Sequence, residues 1–371
     1  MSQLFEPLTI ASLRLANRIV IAPMCQYSAV EGAAGAWHMM HLGSLALSGA
    51  GMLILEATAV SPEARITPTD LGLYSPHTER ALGHVVEAIR THSPIALTLQ
   101  LSHAGRKASS QPPWQGGKQI RPGEPQGWKA EAPSAEPHRD GEDAPVALDR
   151  AGLERVRQNF VDAAARAARL GFDAIELHAA HGYLLHQFLS PLSNLRRDEY
   201  GGSLENRMRF PLAVFSAVRA AFTIDKPVWV RVSATDWVSG GWNLDETVAF
   251  GNALKALGCA ALHVSTGGVS PRQAIKPEPG YQVSFAQAVK AAVGLPTIAV
   301  GLITEPEQAE AIIAAGHADA VSLARAMLYD PRWPWHAAAK LGAKIEAPKQ
   351  YWRCQPREYP DLFEGASTGQ R

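Results

Sequence analysis

The sequence has few cysteines, no net charge and no long hydrophobic run. Its three cysteines, Cys25, Cys259 and Cys354, are widely separated among 371 residues. An odd number of scattered cysteines argues against a disulfide framework and is typical of a reducing compartment, so we expect a cytoplasmic protein. No apolar run approaches about 18 residues, which argues against a transmembrane helix. The first residues also lack the charged and apolar regions of a signal peptide.

The charge balance argues against two classes of partner. Lys plus Arg and Asp plus Glu number 35 each. Nucleic acids and anionic membranes bind basic surfaces, so we expect neither as a partner. No G-x-G-x-x-G stands at a strand-to-helix turn, which argues against a Rossmann dinucleotide domain. Hydrophobic residues make up 46% of the chain, enough for one large core, and we predict a single domain over residues 1–371.

Four times along the chain, a helix-like segment ends at a glycine and an apolar run begins shortly afterwards. The glycines are Gly49, Gly171, Gly258 and Gly316. Glycine ends a helix in the left-handed conformation without steric cost, so each joint predicts a helix followed by a strand. The segment before Gly171 is amphipathic, with apolar residues at helical spacing: Leu153, Val156, Phe160, Ala164 and Ala167.

Eight apolar runs are candidate strands, and a helical pattern follows each of them. They span Arg18–Met24, Met52–Ala59, Ile95–Gln100, Ala174–His178, Val228–Ser233, Ala261–Ser265, Thr297–Val300 and Ala320–Leu323. This alternation predicts an α/β fold, specifically a closed (β/α)8 TIM barrel of parallel strands. An open doubly wound sheet is the structural alternative.

Three segments lie outside the alternation. Residues 101–148, after the third strand, are rich in Pro, Gly and Trp. Loops of this length are usually functional, so we predict a capping insertion over the barrel mouth. Residues 4–15 are expected to close the barrel bottom. The C-terminal tail, about residues 348–371, carries aromatic residues and arginines, which indicates docking rather than a solvated end.

The strongest chemical signal is His178-Ala-Ala-His181-Gly-Tyr183, which directly follows the fourth predicted strand. Active sites of such barrels lie at the carboxyl ends of the strands. Two imidazoles and a phenol can hold an electron-rich oxygen and deliver a proton beside it. A buried histidine pair with a packing tyrosine is the structural alternative. A metal site is a third interpretation, but no second cluster of ligands completes it.

Other strand ends suggest a site for a flat polar ring with a phosphate. Gln100 can both donate and accept, as an amide-like ring edge requires, and Arg231 inside a barrel needs a negative partner. Loops after strands seven and eight of such barrels often bind phosphate, and Gly301 and Arg325 lie there. For these two residues, a turn glycine and a surface arginine are the alternative.

Four motifs in this order resemble the Old Yellow Enzymes, FMN-dependent ene-reductases on a (β/α)8 barrel. They are Pro23-Met24-Cys25, Gln100-x-x-His103-Ala-Gly-Arg-Lys107, His178-x-x-His181-x-Tyr183 and Asp198-Glu-Tyr-Gly-Gly-Ser-x-Glu-Asn-Arg207. Cys25 with Tyr27, and the tail, are similar to the thermophilic-like subclass that includes xenobiotic reductase A. The resemblance implies FMN as cofactor and NADPH or NADH as reductant. It also implies activated alkenes such as enones as substrates, reduced at the C=C bond in a ping-pong cycle.

The resemblance also implies roles for individual residues. His178 and His181 bind the carbonyl oxygen, and Tyr183 is the proton donor. Cys25 lies near the flavin and Tyr27 in the substrate pocket, although a buried small hydrophobe is the alternative for Cys25. The residues that contact FMN are Ala22, Pro23, Met24, Cys25, Ala57, Gln100, Arg231, Gly301, Ala324 and Arg325. We expect no metal, and a homodimer or homotetramer in which Trp352, Arg353 or Arg357 reaches a neighbouring subunit.

Two positions depart from the family pattern, and four other kinds of barrel protein are alternatives to it. Ala324 stands where relatives commonly have glycine, and Val300 aligns with a pocket tryptophan of xenobiotic reductase A. A dienoyl-CoA reductase-like enzyme needs clustered cysteines for its iron–sulfur cluster, and the three separated cysteines argue against it. A tRNA-modifying flavin reductase needs a basic surface, and the balanced charge of the chain argues against it. A metal-dependent hydrolase or aldolase and a non-catalytic binding barrel are the further alternatives.

Overall fold

The structure, a computed structural model, describes residues 2–367. Eight parallel strands close into a barrel. They are β1 (Ile19–Ile21), β2 (Met52–Ala59), β3 (Ala96–Ser102), β4 (Ala174–Ala179), β5 (Val228–Ser233), β6 (Leu262–Ser265), β7 (Thr297–Ala299) and β8 (Ala320–Leu323). Each strand pairs with the next, and β8 pairs with β1, which leaves the sheet without a free edge. The (β/α)8 prediction is confirmed, and the open-sheet alternative is wrong.

Helices follow every strand and flank the barrel. They are α1 (Ala36–Ala46), α2 (Pro76–His92), α3 (Arg150–Arg169), α4 (Leu184–Leu189), α5 (Leu204–Ala221), α6 (Leu244–Ala256), α7 (Val283–Val293), α8 (Pro306–Ala314), α9 (Arg325–Tyr329) and α10 (Trp333–Leu341). Four of them begin at a side chain that accepts a hydrogen bond from the first turn: Ser75, Asp149, Ser203 and Asn243. Within residues 2–367, no helix combines the length and the apolar character needed to cross a membrane.

Helix α3 shows how the sequence sets a helix against the barrel. The apolar positions predicted from Leu153 to Ala167 are all buried, while Arg155, Gln158 and Asp162 are exposed. The glycine joints also have the predicted conformation, because the four glycines have φ between 70° and 86°. Each helix therefore ends just before the following strand begins.

The first strand is shorter than the sequence predicts. The apolar run reaches Met24, but β1 ends at Ile21. The Ala22 N–H donates to Leu323 O at 2.9 Å, and Pro23 has no N–H with which to continue the ladder. Residues 23–28 therefore leave the sheet and lie partly exposed at the barrel mouth.

The N-terminal segment lies across the opposite end of the barrel. It consists of a 3-10 turn at Gln3–Phe5 and an antiparallel hairpin of Leu8–Ile10 with Leu13–Leu15. Leu4 and Leu15 are fully buried in the main core. Leu4 O also accepts a hydrogen bond from the N–H of Arg18, immediately before β1. These contacts cover the amino ends of the strands and leave the carboxyl ends for the site.

The insertion between β3 and α3 has short elements of its own. It contains 3-10 turns at Gly105–Lys107 and Pro113–Gln115, and a parallel pair of Glu131–Ala132 with Val146–Ala147. The buried Arg106 donates to Val269 O at 2.8 Å, in the loop after β6. Trp114 packs edge-on against Tyr27, with ring centroids 5.6 Å apart. The insertion therefore contacts loops at the mouth on two sides.

The C-terminal tail is folded through residue 367. A 3-10 helix spans Lys349–Cys354, and a parallel bridge joins Ile345 to Phe363. Both bridge residues pack against Trp335 of α10. Residues 1 and 368–371 lie outside the described part of the chain. Of the three residues expected to reach a neighbouring subunit, Trp352 is half-buried against its own chain, whereas Arg353 and Arg357 are exposed.

Candidate active site

The histidine and tyrosine side chains of the sequence motif form one cluster at the carboxyl end of β4. His178 lies on the strand, and His181 and Tyr183 follow in the turn before α4. The His178 ring is edge-on to both others, with ring centroids 5.1 Å from His181 and 4.8 Å from Tyr183. Lys107 of the insertion donates to His181 O at 2.8 Å, and its Nζ lies 4.9 Å from the centre of the Tyr183 ring. The three side chains therefore form one continuous wall.

The backbone at His181 and Gly182 is left-handed and leaves no room for larger residues in this turn. His181 has a φ of 57°, a left-handed conformation that costs a non-glycine residue on the order of 1–2 kcal/mol. Its N–H donates to Ser233 Oγ at 3.0 Å. Gly182 has a φ of 73°, and a Cβ atom there would lie 2.1 Å from Gly268 O. The turn therefore packs directly on the loop after β6.

Both imidazoles are neutral. Burial, and then the charge of Arg231, hold the pKa of His178 and of His181 well below the ordinary value. In His178, Nδ1 accepts the N–H of Ala180 at 3.3 Å, so the ring proton is on Nε2. His178 thus offers one N–H donor. In His181, Nε2 lies 2.7 Å from Ser265 Oγ.

Tyr183 keeps its proton at neutral pH. Burial raises the pKa of this phenol well above its ordinary value, and Cys25 and Tyr27 raise it further. Lys107 places a positive charge against the ring face. A protonated phenol therefore stands beside two imidazoles, which is the arrangement that proton delivery next to a bound oxygen requires.

Polar side chains from the loops after β1 and β2 lie close to this wall. Burial, then Asp70, raises the pKa of the Cys25 thiol well above its ordinary value, and burial also raises the pKa of Tyr27. Asp70 is buried and accepts hydrogen bonds from Ile66 N–H at 2.7 Å and Thr67 Oγ1 at 2.6 Å. Burial raises the pKa of Asp70 to about 7. Cys25 is therefore a neutral thiol and not an activated nucleophile.

Inside the barrel, Glu176 of β4 is the centre of a buried network. Its carboxylate accepts hydrogen bonds from Gln100 Nε2 at 2.7 Å, Trp229 Nε1 at 2.9 Å and His263 Nδ1 at 2.8 Å. Burial opposes ionisation, but His263, Arg231 and these hydrogen bonds hold the pKa of Glu176 below its ordinary value. Burial and Arg231 lower the pKa of His263, which is neutral. Glu176 is therefore the counter-charge of Arg231.

The groups around Arg231 fit the flavin ring that the resemblance implies. Arg231 Nε is buried and has no hydrogen-bond partner among residues 2–367. Gln100 donates to Glu176 but keeps its amide oxygen for another partner. The register of β2 against β3 shifts between Leu55 and Thr58, which leaves the backbone of Ala57 outside the ladder. Buried polar groups without partners are rare in folded proteins, so this set is suited to a polar ring edge.

Gly301, Ala324 and Arg325 meet at the ends of the neighbouring strands β7 and β8. Gly301 has a φ of 125°, and a Cβ atom there would lie 2.9 Å from Gln282 Nε2. Ala324 has a φ of −107°, so this position does not need the left-handed conformation that would favour glycine. Arg325 is exposed at the first residue of α9. Gly301 is therefore needed for its contact with Gln282, and Arg325 supplies a cation at this edge, which suits a phosphate group.

A cavity of about 280 Å³ opens beside Tyr27, between the insertion and the loop that contains Gly268. A larger groove, of about 730 Å³, lies at the other end of the barrel between the N-terminal hairpin and the tail. The polar groups of the motif are at the mouth, so we place the site there. Within the described residues, no group of three or more His, Cys, Asp or Glu side chains is arranged to hold a metal ion.

The structure therefore places the predicted residues around one mouth, and it adds residues for which the sequence predicted no role. The added residues are Lys107, Glu176, Trp229, His263, Ser265 and Gln282. Glu176 and His263 had a readable signal, because each interrupts an apolar strand and a buried charge or imidazole requires partners. Lys107 lay in a quoted motif, and Ser265 was noted only as a strand end.

Comparison with known proteins agrees with this geometry. Residues 3–343 match the NADH:flavin oxidoreductase / NADH oxidase family model. The chain is 43% identical over 352 residues to an NADPH dehydrogenase of Geobacillus thermodenitrificans, covering 94% of this chain and 98% of that one. It is 43% identical over 357 residues to an NADPH dehydrogenase of Listeria innocua, covering 95% and 99%. A structure of morphinone reductase in complex with tetrahydroNAD is 29% identical, with a TM-score of 0.74, covering 98% of this chain and 95% of that one.

The match to the family model includes both parts of the candidate site. It extends from the N-terminal hairpin to α10, and so contains the histidine cluster and the phosphate edge at β7 and β8. The buried Arg231 Nε, which has no partner within the described residues, and the exposed Arg325 suit the ring and the phosphate of a flavin nucleotide. The chain belongs to the Old Yellow Enzyme family of FMN-dependent, nicotinamide-linked oxidoreductases.

Proposed function

We propose that the chain is an ene-reductase that reduces the C=C bond of alkenes conjugated to a carbonyl group. The observation that carries this proposal is the wall of two neutral imidazoles and a protonated phenol. When bound, FMN reduced by NADPH or NADH supplies the hydride. The side chains of the wall supply the oxygen-binding donors and the proton.

Each residue of the wall has a separate task. His178, through Nε2–H, and His181 donate hydrogen bonds to the carbonyl oxygen and stabilise the negative charge that develops there. Tyr183 gives its proton to the carbon next to the carbonyl group. Tyr27 lines the substrate side, and Cys25 lies near the ring as a neutral thiol. Nicotinamide and alkene use the same mouth in turn, which gives ping-pong kinetics.

We propose that the cofactor lies across the strand ends with its ring at β3–β5 and its phosphate at β7–β8. Arg231 and Gln100 hold the polar ring edge, because Arg231 Nε and the Gln100 amide oxygen have no partner within the described residues. The backbone contacts come from Ala22, Pro23, Met24, Cys25 and Ala57, and the phosphate contacts from Gly301, Ala324 and Arg325.

We also propose a homodimer or homotetramer in which the tail reaches a neighbouring site. Arg353 and Arg357 are exposed on a folded tail and suit this role better than Trp352, whose Nε1 donates to Ala347 O at 3.1 Å. Sedimentation gives the oligomeric state. Mixing Tyr183→Phe and Arg353→Ala chains should restore part of the activity if the site is shared between subunits. A mixture without any recovery of activity would contradict a shared site.

An absorbance experiment tests the catalytic proposal. The purified protein should show a flavin band that NADPH bleaches under anaerobic conditions. Adding cyclohexenone should restore the band, with consumption of one alkene per flavin. A missing flavin band, or a band that NADPH bleaches but no activated alkene restores, would contradict an ene-reductase.

A further inference from the structure

A chain of buried hydroxyl and amide groups leads away from His181 into the barrel wall. Ser265 Oγ, at the end of β6, lies 2.7 Å from His181 Nε2 and 3.1 Å from Gln282 Oε1. Thr266 Oγ1 donates to the same Gln282 oxygen at 2.6 Å. Ser265, Thr266 and Gln282 are all buried, so water does not compete for these hydrogen bonds.

The Ser265 hydroxyl has one proton and two neighbouring acceptors. If it donates to Gln282 Oε1, then His181 Nε2 carries the ring proton and donates to Ser265 Oγ. His181 Nδ1 is then a bare lone pair. If it donates to His181 Nε2 instead, the ring proton is on Nδ1. Nδ1 makes no hydrogen bond within residues 2–367, so it is the nitrogen that a ligand can use.

Only the second arrangement stabilises a carbonyl oxygen that gains negative charge. A lone pair on Nδ1 repels that charge, whereas an Nδ1–H stabilises it. The distances favour the same arrangement, because Ser265 is nearer to His181 and Thr266 already donates a short hydrogen bond to Gln282. His178 needs no such partner, since the backbone N–H of Ala180 sets its tautomer.

We propose that Ser265 is a positioning residue, which donates its proton to His181 Nε2 and so holds His181 as an Nδ1–H donor to substrate. Thr266 supports it by donating to one of the two lone pairs of Gln282 Oε1, which makes that oxygen a weaker acceptor for Ser265. The ring carries one proton in either arrangement, so no net proton transfer is involved. This inference rests on the proposed role of the histidine pair in binding a carbonyl oxygen.

Nitrogen NMR of FMN-loaded protein with ¹⁵N-labelled histidine tests the proposal, since protonated and bare ring nitrogens have distinct chemical shifts. His181→Gln identifies the signals of His181. We expect Nδ1–H in the wild type and a loss of that preference in Ser265→Ala. We also expect flavin reoxidation by cyclohexenone to slow about tenfold, the effect of about one hydrogen bond. Thr98→Val removes another buried strand hydroxyl, one on β3 that contacts Met52 Sδ at 3.1 Å, and should change neither quantity.

A second variant keeps the test informative if Ser265→Ala does not fold. Thr266→Val preserves shape and frees Gln282 Oε1 to compete for the Ser265 proton, so His181 should shift towards Nε2–H with a smaller loss of rate. An unchanged His181 tautomer in the folded variants overturns the inference. Wild-type protein whose flavin is not reoxidised by cyclohexenone overturns the proposed function instead, so the two failures are distinguishable.

Discussion

Removing the Glu176 carboxylate should destabilise the barrel strongly. This carboxylate is fully buried, accepts hydrogen bonds from Gln100, Trp229 and His263, and is the counter-charge of Arg231. In Glu176→Ala, three buried donors lose their acceptor and a buried guanidinium loses its counter-charge. The variant therefore combines two of the costliest changes that a protein interior can undergo.

The expected size follows from these contacts. Each donor left unsatisfied costs about 1–3 kcal/mol, and removing one partner of a buried charge pair costs about 3–5 kcal/mol. These costs overlap, because the same carboxylate supplies both and the site relaxes. We therefore expect Glu176→Ala to lower the free energy of unfolding by about 3–5 kcal/mol. Glu176→Gln keeps the volume and an acceptor oxygen but loses the charge, so its loss should be smaller.

Urea unfolding of apoprotein and FMN-loaded protein, followed by tryptophan fluorescence, measures this effect. The matched control is Glu154→Ala, which removes an exposed carboxylate of α3 that pairs with Arg157 at 2.5 Å, and which should leave the midpoint unchanged. FMN should stabilise Glu176→Gln more than it stabilises the wild type, because an uncompensated Arg231 attracts the anionic cofactor. Equal midpoints for Glu176→Ala and the wild type would refute the proposed counter-charge.

Three further changes test other parts of the site. Tyr183→Phe should slow flavin reoxidation by cyclohexenone at least about 100-fold while largely sparing reduction by NADPH; stopped-flow measurements showing equal losses exclude a primary proton-donor role. Burial raises the folded pKa of Asp70 to about 7, so its contribution to stability is complete below about pH 4, and about 4 kcal/mol is lost as pH rises through 7. Asp70→Asn should flatten this fall in the free energy of unfolding, measured by urea titration at several pH values. An unchanged pH dependence would contradict the assignment. Gly182→Ala places a Cβ atom 2.1 Å from Gly268 O, so it should lower stability and activity. Gly171→Ala is the control, because Gly171 has a φ of 80° but no atom lies within 4 Å of an added Cβ, and its loss should be smaller. Similar losses of thermal stability in both variants would exclude the contact with Gly268 as the cause.

The sequence predicted the fold and much of the mouth because these depend on local pattern. Glycine joints and apolar periodicity gave eight strands, and Gly171 and α3 have the predicted conformation and burial. The carboxyl ends of parallel strands share one edge of a closed barrel, which brings together residues that the sequence predicted separately, such as His178 and Arg231. In the structure they are register partners on β4 and β5.

The supporting contacts were beyond sequence reasoning because they join distant segments. Lys107 contacts the backbone of His181 across 74 residues, and Ser265 contacts its ring across 84. Such contacts depend on barrel register, on the path of the insertion and on the left-handed turn at His181. In the same way, aromatic content indicated that the tail docks, but not that Trp352 packs near Trp335 of its own chain.

Register explains why a polar site can sit on top of a stable barrel. Residues two apart on a strand face the same side, so Glu176 and His178 share a face, as do Arg231 and Ser233, and His263 and Ser265. Parallel pairing aligns these positions, with His178 opposite Arg231, Arg231 opposite His263, and Ser233 opposite Ser265. The interior is therefore layered: Glu176 lies lowest with Gln100 and Trp229, the next layer contains His178, Arg231 and His263, and the hydroxyls of Ser233 and Ser265 lie towards the mouth. Glu176 accepts the hydrogen bond of His263 in the layer above it, and Ser233 and Ser265 contact the backbone and the ring of His181, so the turn at the mouth is held by side chains of the barrel.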